Sequence, residues 1–239
     1  MEDRLKNIFY RYGNELEGWY ENVRYYQETF IIPYNPYWED VRRKPMDIEA
    51  LLHRLLEIFC GFGGTAGAWR RQQTLDYGTG LRTGICSKQI DHDYYLGVDK
   101  DSIFLESSIS HPECIYKIFD LFVQEIAAYS RLGIFGYSES EVFDESITKA
   151  YRALLKKKIK GELPDLLRNY FIAQAELKGD FDLGVLQVRW PLNRFSMQQF
   201  LEEGCRAFEI LHRLNIELWK KSKSRKLGNS QDYFDSERL

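Results

Sequence analysis

Between Asp91 and His111 the chain gathers the side chains best equipped for chemistry. Asp91-His92-Asp93 is followed by Asp99, Asp101, Glu106 and His111. Carboxylates supply hard oxygen ligands and general bases, and imidazole titrates near neutrality. Such a set suits a metal site or acid–base catalysis, as in a metal-assisted hydrolase around His92, Asp93, Glu106 and His111. The spacing works against both. His92 and Asp93 are neighbours on a predicted strand and so point to opposite faces. Asp99 and Asp101 are ordinary turn residues. An acidic hairpin of the metal-dependent nuclease type would carry a lysine two residues past its second acid, yet Ser107 and Ser108 follow Glu106. His111 and Cys114 sit at (i, i+3) where a helix is predicted to start, a place that can lower a thiol pKa. Beside Ile115, however, Cys114 reads as a small buried apolar residue. No cofactor motif and no metal site emerge.

A second group of residues suits recognition. Gly61 to Ile90 holds seven of the seventeen glycines, together with Arg70, Arg71, Arg82 and Lys88. Glycine lets backbone approach a partner closely, and arginine offers forked donors to carboxylate or phosphate. Within this stretch, Trp69-Arg70-Arg71 combines the two residue types most enriched at protein hot spots. The same trio would suit base stacking with phosphate neutralisation in a single strand of nucleic acid. Gly61-Phe-Gly-Gly-Thr-Ala-Gly67 invites comparison with phosphate-binding loops. It follows a helix instead of opening one, and no Lys-Ser/Thr pair closes it. Tyr37 and Trp38, in an extended proline-bearing segment, add aromatic surface to the expected interface.

Elements must hold these groups in place. A helix is expected within residues 3–29, with Gly13 and Gly18 weakening it. A second runs from Asp47 to about Cys60 and stops at Gly61. Residues 61–90 read as a long glycine- and arginine-rich loop, in which Leu81 to Cys86 suggests a further strand. Alternation then predicts a hairpin over 94–107, turning at Asp99-Lys100-Asp101-Ser102. Ser110 and Pro112 open a predicted helix that Gly133 ends. Ile147 to Leu155 and Pro164 to Leu177 predict two more. A strand near 183–190 is stopped by Pro191, and Ser196 caps a long final helix. A small antiparallel sheet, the hairpin plus the late strand, packed against several amphipathic helices makes an α+β fold. Residues 1–219 form one such domain, and 220–239 read as a charged disordered tail.

Composition narrows the function classes. A chain of 239 residues is long enough for a sizeable core. Thirty-three basic residues against thirty-six acidic ones leave a net charge of −3, which argues against a generic DNA coat. Lysine runs at 156–160 and from Lys220 are most simply solvated helix ends. The charged start Met1-Glu2-Asp3-Arg4 carries no secretory signal, and no run of apolar residues is long enough to span a bilayer. Four scattered cysteines without a C-x-x-C pair fit reduced thiols in the cytoplasm. Aromatic residues at 15% are abundant for a globular chain. The expectation is a cytosolic protein-binding module without catalysis, of the bacterial immunity, adaptor or defence-associated type. Trp69, Arg70, Arg71, Arg82, Trp38 and Tyr37 would form its contact surface. A nucleic-acid binder using the same arginines and the lysine runs is the alternative, alongside the hydrolase.

Overall fold

Alternating apolar residues build one antiparallel sheet, and helices bury one of its faces. The computed structural model describes residues 8, 10–14, 16–28, 43–62, 68–76, 80–138, 162–175 and 182–235. The strands are β1 (Trp69–Arg71), β2 (Leu75–Asp76), β3 (Gly80–Ser87), β4 (His92–Asp99), β5 (Ser102–Ser108), β6 (Ile134–Ser138) and β7 (Val185–Pro191). Their order across the sheet is β1-β3-β4-β5-β7-β6, with β2 also on β3. The helices are α1 (Trp19–Tyr26), α2 (Arg43–Phe62), α3 (Phe119–Tyr129), α4 (Glu162–Ala175) and α5 (Met197–Asp235). The α+β architecture expected from the sequence is the one found. No helix among the described residues is long and apolar enough to cross a membrane.

The hairpin β4–β5 forms as its alternation predicts. Asp99 Oδ1 accepts from the backbone N–H of Asp101 and Ser102 at 3.0 and 2.9 Å and from the Ser102 hydroxyl at 3.0 Å. That is the local bonding that favours aspartate at a turn. The late strand β7 then lies along β5, pairing Leu105 with Val188 and Glu106 with Gln187. β6 closes the far edge and is absent from the sequence reading, because Ile-Phe-Gly-Tyr-Ser is short and carries a glycine at its centre.

Most of the described residues in the region read as a long loop are strand. Helix α2 extends to Phe62, and residues 69–71, 75–76 and 80–87 are strands, while 63–67 and 77–79 lie outside the described residues. Two glycines here serve close packing. A Cβ on Gly80 would stand 2.5 Å from the Val98 carbonyl oxygen, and one on Gly84 2.7 Å from the Tyr95 ring. β1 and β2 act as one edge strand interrupted by a bulge. Gln72 N–H still bonds the Gly84 carbonyl at 2.8 Å, whereas Leu75 faces Arg82. Gln73 and Thr74 therefore stand together opposite the single residue Thr83, the two-against-one count of a β-bulge.

Several helices begin or end away from their predicted positions. Gly18 adopts φ +75° immediately before α1, so the predicted N-terminal helix breaks where glycine weakens it. The segment after Ser110 starts as a 3₁₀ turn over Pro112–Ile118 and becomes helical in α3; Gly133 at φ +51° follows. Ser110 does not cap it: its N–H donates to Asn215 Oδ1 on α5 at 2.9 Å. Ser196 does cap α5, reciprocally with Gln199, at 3.2 and 3.0 Å. The backbone of α5 stays helical through Asp235, where composition predicts a tail without structure. The run from Lys220 is polar in sequence but carries no strong helix breaker there beyond Gly228. The predicted helix at 147–155, the lysines at 156–160, and Tyr37 and Trp38 lie outside the described residues.

Phe59 of α2, Phe122 and Ile126 of α3, Phe208, Leu211 and Leu214 of α5 and Trp190 of β7 are almost wholly buried between helices and sheet. Each such side chain stabilises by roughly 1.5–3 kcal/mol gross. All four cysteines are buried, and none is in a disulfide.

Candidate functional site

Alternation sorts every strand residue onto one of two faces. The His53 ring of α2 bonds Thr83 at 2.7 Å, His212 of α5 bonds Tyr94 at 3.2 Å, Asn169 of α4 bonds Tyr137 at 3.0 Å, and Glu203 of α5 accepts from Trp190 at 2.8 Å. These contacts place α2, α4 and α5 on one face. The opposite face carries a cross-strand row of Gln72, Gly84, Tyr95, Glu106, Gln187 and Gly136. Beside it runs a second row of Arg82, Gly97, Phe104, Arg189 and Ile134.

Two glycines shape this second face. Tyr95 lies across Gly84 and Phe104 across Gly97, so tightly that a Cβ at either glycine would meet the ring at 2.7 or 2.2 Å. The missing side chain at 84 also lets Gln72 reach over β3 to Asp93. Its Nε2 donates to Asp93 Oδ1 at 2.6 Å, and the Tyr95 hydroxyl donates to Oδ2 at 3.3 Å. The Arg82 guanidinium stacks 4.4 Å from the Tyr95 ring centre and binds Glu106 Oε1. Gln187 Nε2 donates to the other Glu106 oxygen at 3.0 Å. Arg189 extends the chain of contacts, donating to Gln187 Oε1 at 3.3 Å and pairing with Asp99.

A cleft of about 330 Å³ opens where β4 begins and β5 ends, lined by Arg82, Asp91, His92, Asp93, Tyr95 and Glu106, with Ser107, Ser108 and Val185. Because it lies at the strand ends, His92 and Asp93 both reach it despite belonging to opposite faces. Three of the four residues singled out for catalysis thus converge. His111 does not line the cleft; it sits at φ +49° before the 3₁₀ turn, 3.4 Å from Glu113. Asp99 and Asp101 stay in their turn, and Cys114 is buried as expected.

The hydrogen bonds fix what these groups can do. His92 Nε2 lies 3.0 Å from the Ser108 carbonyl, which only accepts, so Nε2 carries the proton. The same nitrogen is 3.0 Å from Ser107 Oγ and therefore cannot take a proton from that hydroxyl. Ser107 instead donates to the Asp93 carbonyl at 2.9 Å. A Ser–His nucleophile is not assembled. Burial lowers the His92 pKa, which keeps the ring neutral at pH 7, and raises that of the Tyr95 phenol, with the Asp93 charge adding to the latter. Among the described residues, no group of three or more His, Cys, Asp and Glu side chains is placed to hold a metal ion.

The residues expected at an interface are dispersed. Trp69 is not an exposed anchor: its ring packs against Tyr94, Phe208 and His212 at centroid distances of 5.8, 5.4 and 4.8 Å. Pairing with Ser87 turns it toward the helices. Arg82 is not a surface residue either, with 11% of its side chain exposed against 4% for its partner Glu106. Arg71 is exposed but bound to Glu57 of α2. Arg70, also exposed, lies 3.7 Å from Asp91 and 3.5 Å from Cys86 Sγ at the rim of the cleft. The Cys86 thiol is pushed up to about 11, chiefly by burial and then by Asp93. Sequence reasoning missed Gln72, Tyr95 and Gln187. Their roles appear only once register sets them beside Asp93 and Glu106.

Comparison of the chain with known protein families, curated proteins and solved structures returns no match.

Proposed function

We propose that this chain is a non-catalytic binding module that holds another protein at the cleft bounded by Asp91, Asp93, Tyr95 and Ser108. The observation that carries this reading is the combination of size and commitment in that cleft. At about 330 Å³ it stands at the small end of ligand sites, which span roughly 300–1,000 Å³, and suits one side chain better than a nucleotide-sized cofactor. Asp93, Glu106 and the imidazole are already held by the chain's own donors and acceptors. Groups held in this way lose little freedom on binding.

Pairing also weighs against the nucleic-acid alternative. Arg70, Arg71 and Arg82 each face a carboxylate, of Asp91, Glu57 and Glu106, so together they add no net positive charge for phosphates.

The test is affinity capture from host lysate, with and without nuclease, using the wild-type chain and Ser108→Trp. That change puts a bulky ring into the wall of the cleft without altering its charge. A stoichiometric, nuclease-resistant protein retained by wild type and lost with Ser108→Trp is the expected result. Bait that retains only nuclease-sensitive material, or a partner indifferent to Ser108→Trp, would overturn the reading.

A further inference from the structure

The charges around the cleft do not balance. Asp91 has Arg70 beside it, and Glu106 has Arg82. Asp93 is held by the Gln72 amide and the Tyr95 hydroxyl, with the Cys86 thiol close by, and none of these carries a positive charge. Neither does His92 offset it, since its ring is neutral. Among the described residues, one negative charge therefore remains in a partly enclosed cavity, where charges attract more strongly than in bulk water.

We infer that the cleft seats the ammonium group of a lysine side chain from the protein partner, with Asp93 as its counter-ion. This rests on the protein-binding reading above.

The hydrogen bonds select lysine over arginine. A guanidinium prefers a carboxylate whose two oxygens are both open along one edge, so that two parallel N–H bonds can form. In Asp93 each oxygen already accepts one bond, Oδ1 from Gln72 and Oδ2 from Tyr95. What remains is one lone pair on each oxygen. A compact ammonium with three rotatable donors needs no forked edge. A further acceptor lines the same wall, the Ser107 hydroxyl oxygen. The aliphatic stem of a lysine would find Val185 and the Tyr95 ring among the lining groups.

The probes are Nα-acetyl-lysine methylamide and its uncharged counterpart Nα-acetyl-norleucine methylamide, titrated into the full chain and followed by amide chemical shifts. The lysine probe is expected to give saturable shifts confined to residues 92–95 and 106–108, in the millimolar range usual for a single contact. Norleucine, and lysine against Asp93→Asn, should each bind about tenfold more weakly, a difference of about 1.4 kcal/mol. Repeating the wild-type titration at higher salt gives a reading independent of any variant, because an ion pair weakens as ionic strength rises. Equal shifts from norleucine, unchanged affinity in Asp93→Asn, salt-independent binding, or no shifts at all would each overturn the inference. The two failures are separable. A partner captured in lysate without lysine-dependent shifts removes only the ammonium site. Lysine-dependent shifts with no captured protein would keep the ammonium site, make its ligand a free amine and remove the protein-binding reading.

Discussion

The two faces of this sheet come from the same strands and are held together by different physics. On the helix-covered face, Leu96, Leu105, Val188 and Trp190 are wholly buried and pack against Phe59, Phe208 and their neighbours. One residue along in each strand, the side chains are Gly97, Glu106, Arg189 and Gln187. The first face is held by non-directional apolar burial, which tolerates repacking. The second depends on directed contacts, in which an arginine, a carboxylate and an amide must meet at particular atoms. Ring-over-glycine packing at positions 84 and 97 is what lets the side chains of that second layer approach one another.

The largest test of this contrast is Arg82→Ala. Glu106 has 4% of its side chain exposed and would lose its cation. Breaking a buried pair on one side costs about 3–5 kcal/mol, whereas the apolar replacement Arg82→Met with Glu106→Met should recover most of that loss. Urea denaturation of the three proteins measures both. A single-variant loss under about 1 kcal/mol would mean that the second face behaves as ordinary surface.

The helix-covered face has buried polar groups of its own, His212 among them. His212 is buried between Tyr94 and Trp69, and burial, followed by His92, lowers its pKa to about 4. The folded state therefore resists protonating a group that the unfolded chain protonates near its ordinary pKa of about 6.5. Above pH 6.5 neither state carries that proton and stability is at its full value. As pH falls from 6.5 toward 4 the unfolded chain gains it, at a cost of about 3 kcal/mol. His212→Phe should flatten this limb of the stability curve. His53 and His92, whose pKa values are also lowered mainly by burial, keep their own share of the slope. An unchanged slope would place the titration elsewhere.

The smallest expected effect comes from Arg71→Ala. The pair with Glu57 lowers the Glu57 pKa, yet Arg71 is 65% exposed, and removing it should change stability by under about 1 kcal/mol. Thermal denaturation at low and high salt checks this. A loss approaching that of Arg82→Ala would erase the distinction between exposed and buried pairs.

How legible these features were in the sequence depended on whether they were local. The hairpin of β4 and β5 announces itself because Tyr94, Leu96 and Val98 alternate and Asp99 supplies the turn. The partner β7 was equally readable from Val185 to Trp190. β3 was harder, since Gly80 and Gly84 signal freedom when read alone and close packing once Val98 and Tyr95 lie over them. The site follows the same rule. His92, Asp93 and Glu106 were conspicuous by type, but their convergence depends on the register that sets Tyr95 opposite Glu106. Arg82 looked like a surface residue because its partner lies two strands away. Trp69 looked exposed because nothing near it in the chain shows that α5 returns to cover it.

The bulge at Gln73 and Thr74 bears on how this molecule can associate. A smooth edge strand is a template onto which another chain can lay its backbone, and sheets that offer one are prone to run on into fibres. Here that border is split into a three-residue and a two-residue piece, kinked between them, with Arg70 and Arg71 projecting to either side. A visiting strand would find its ladder out of step within a few residues. Assembly through backbone pairing at this border is thereby discouraged, and recognition is left to side chains, which can hold one partner without recruiting the next.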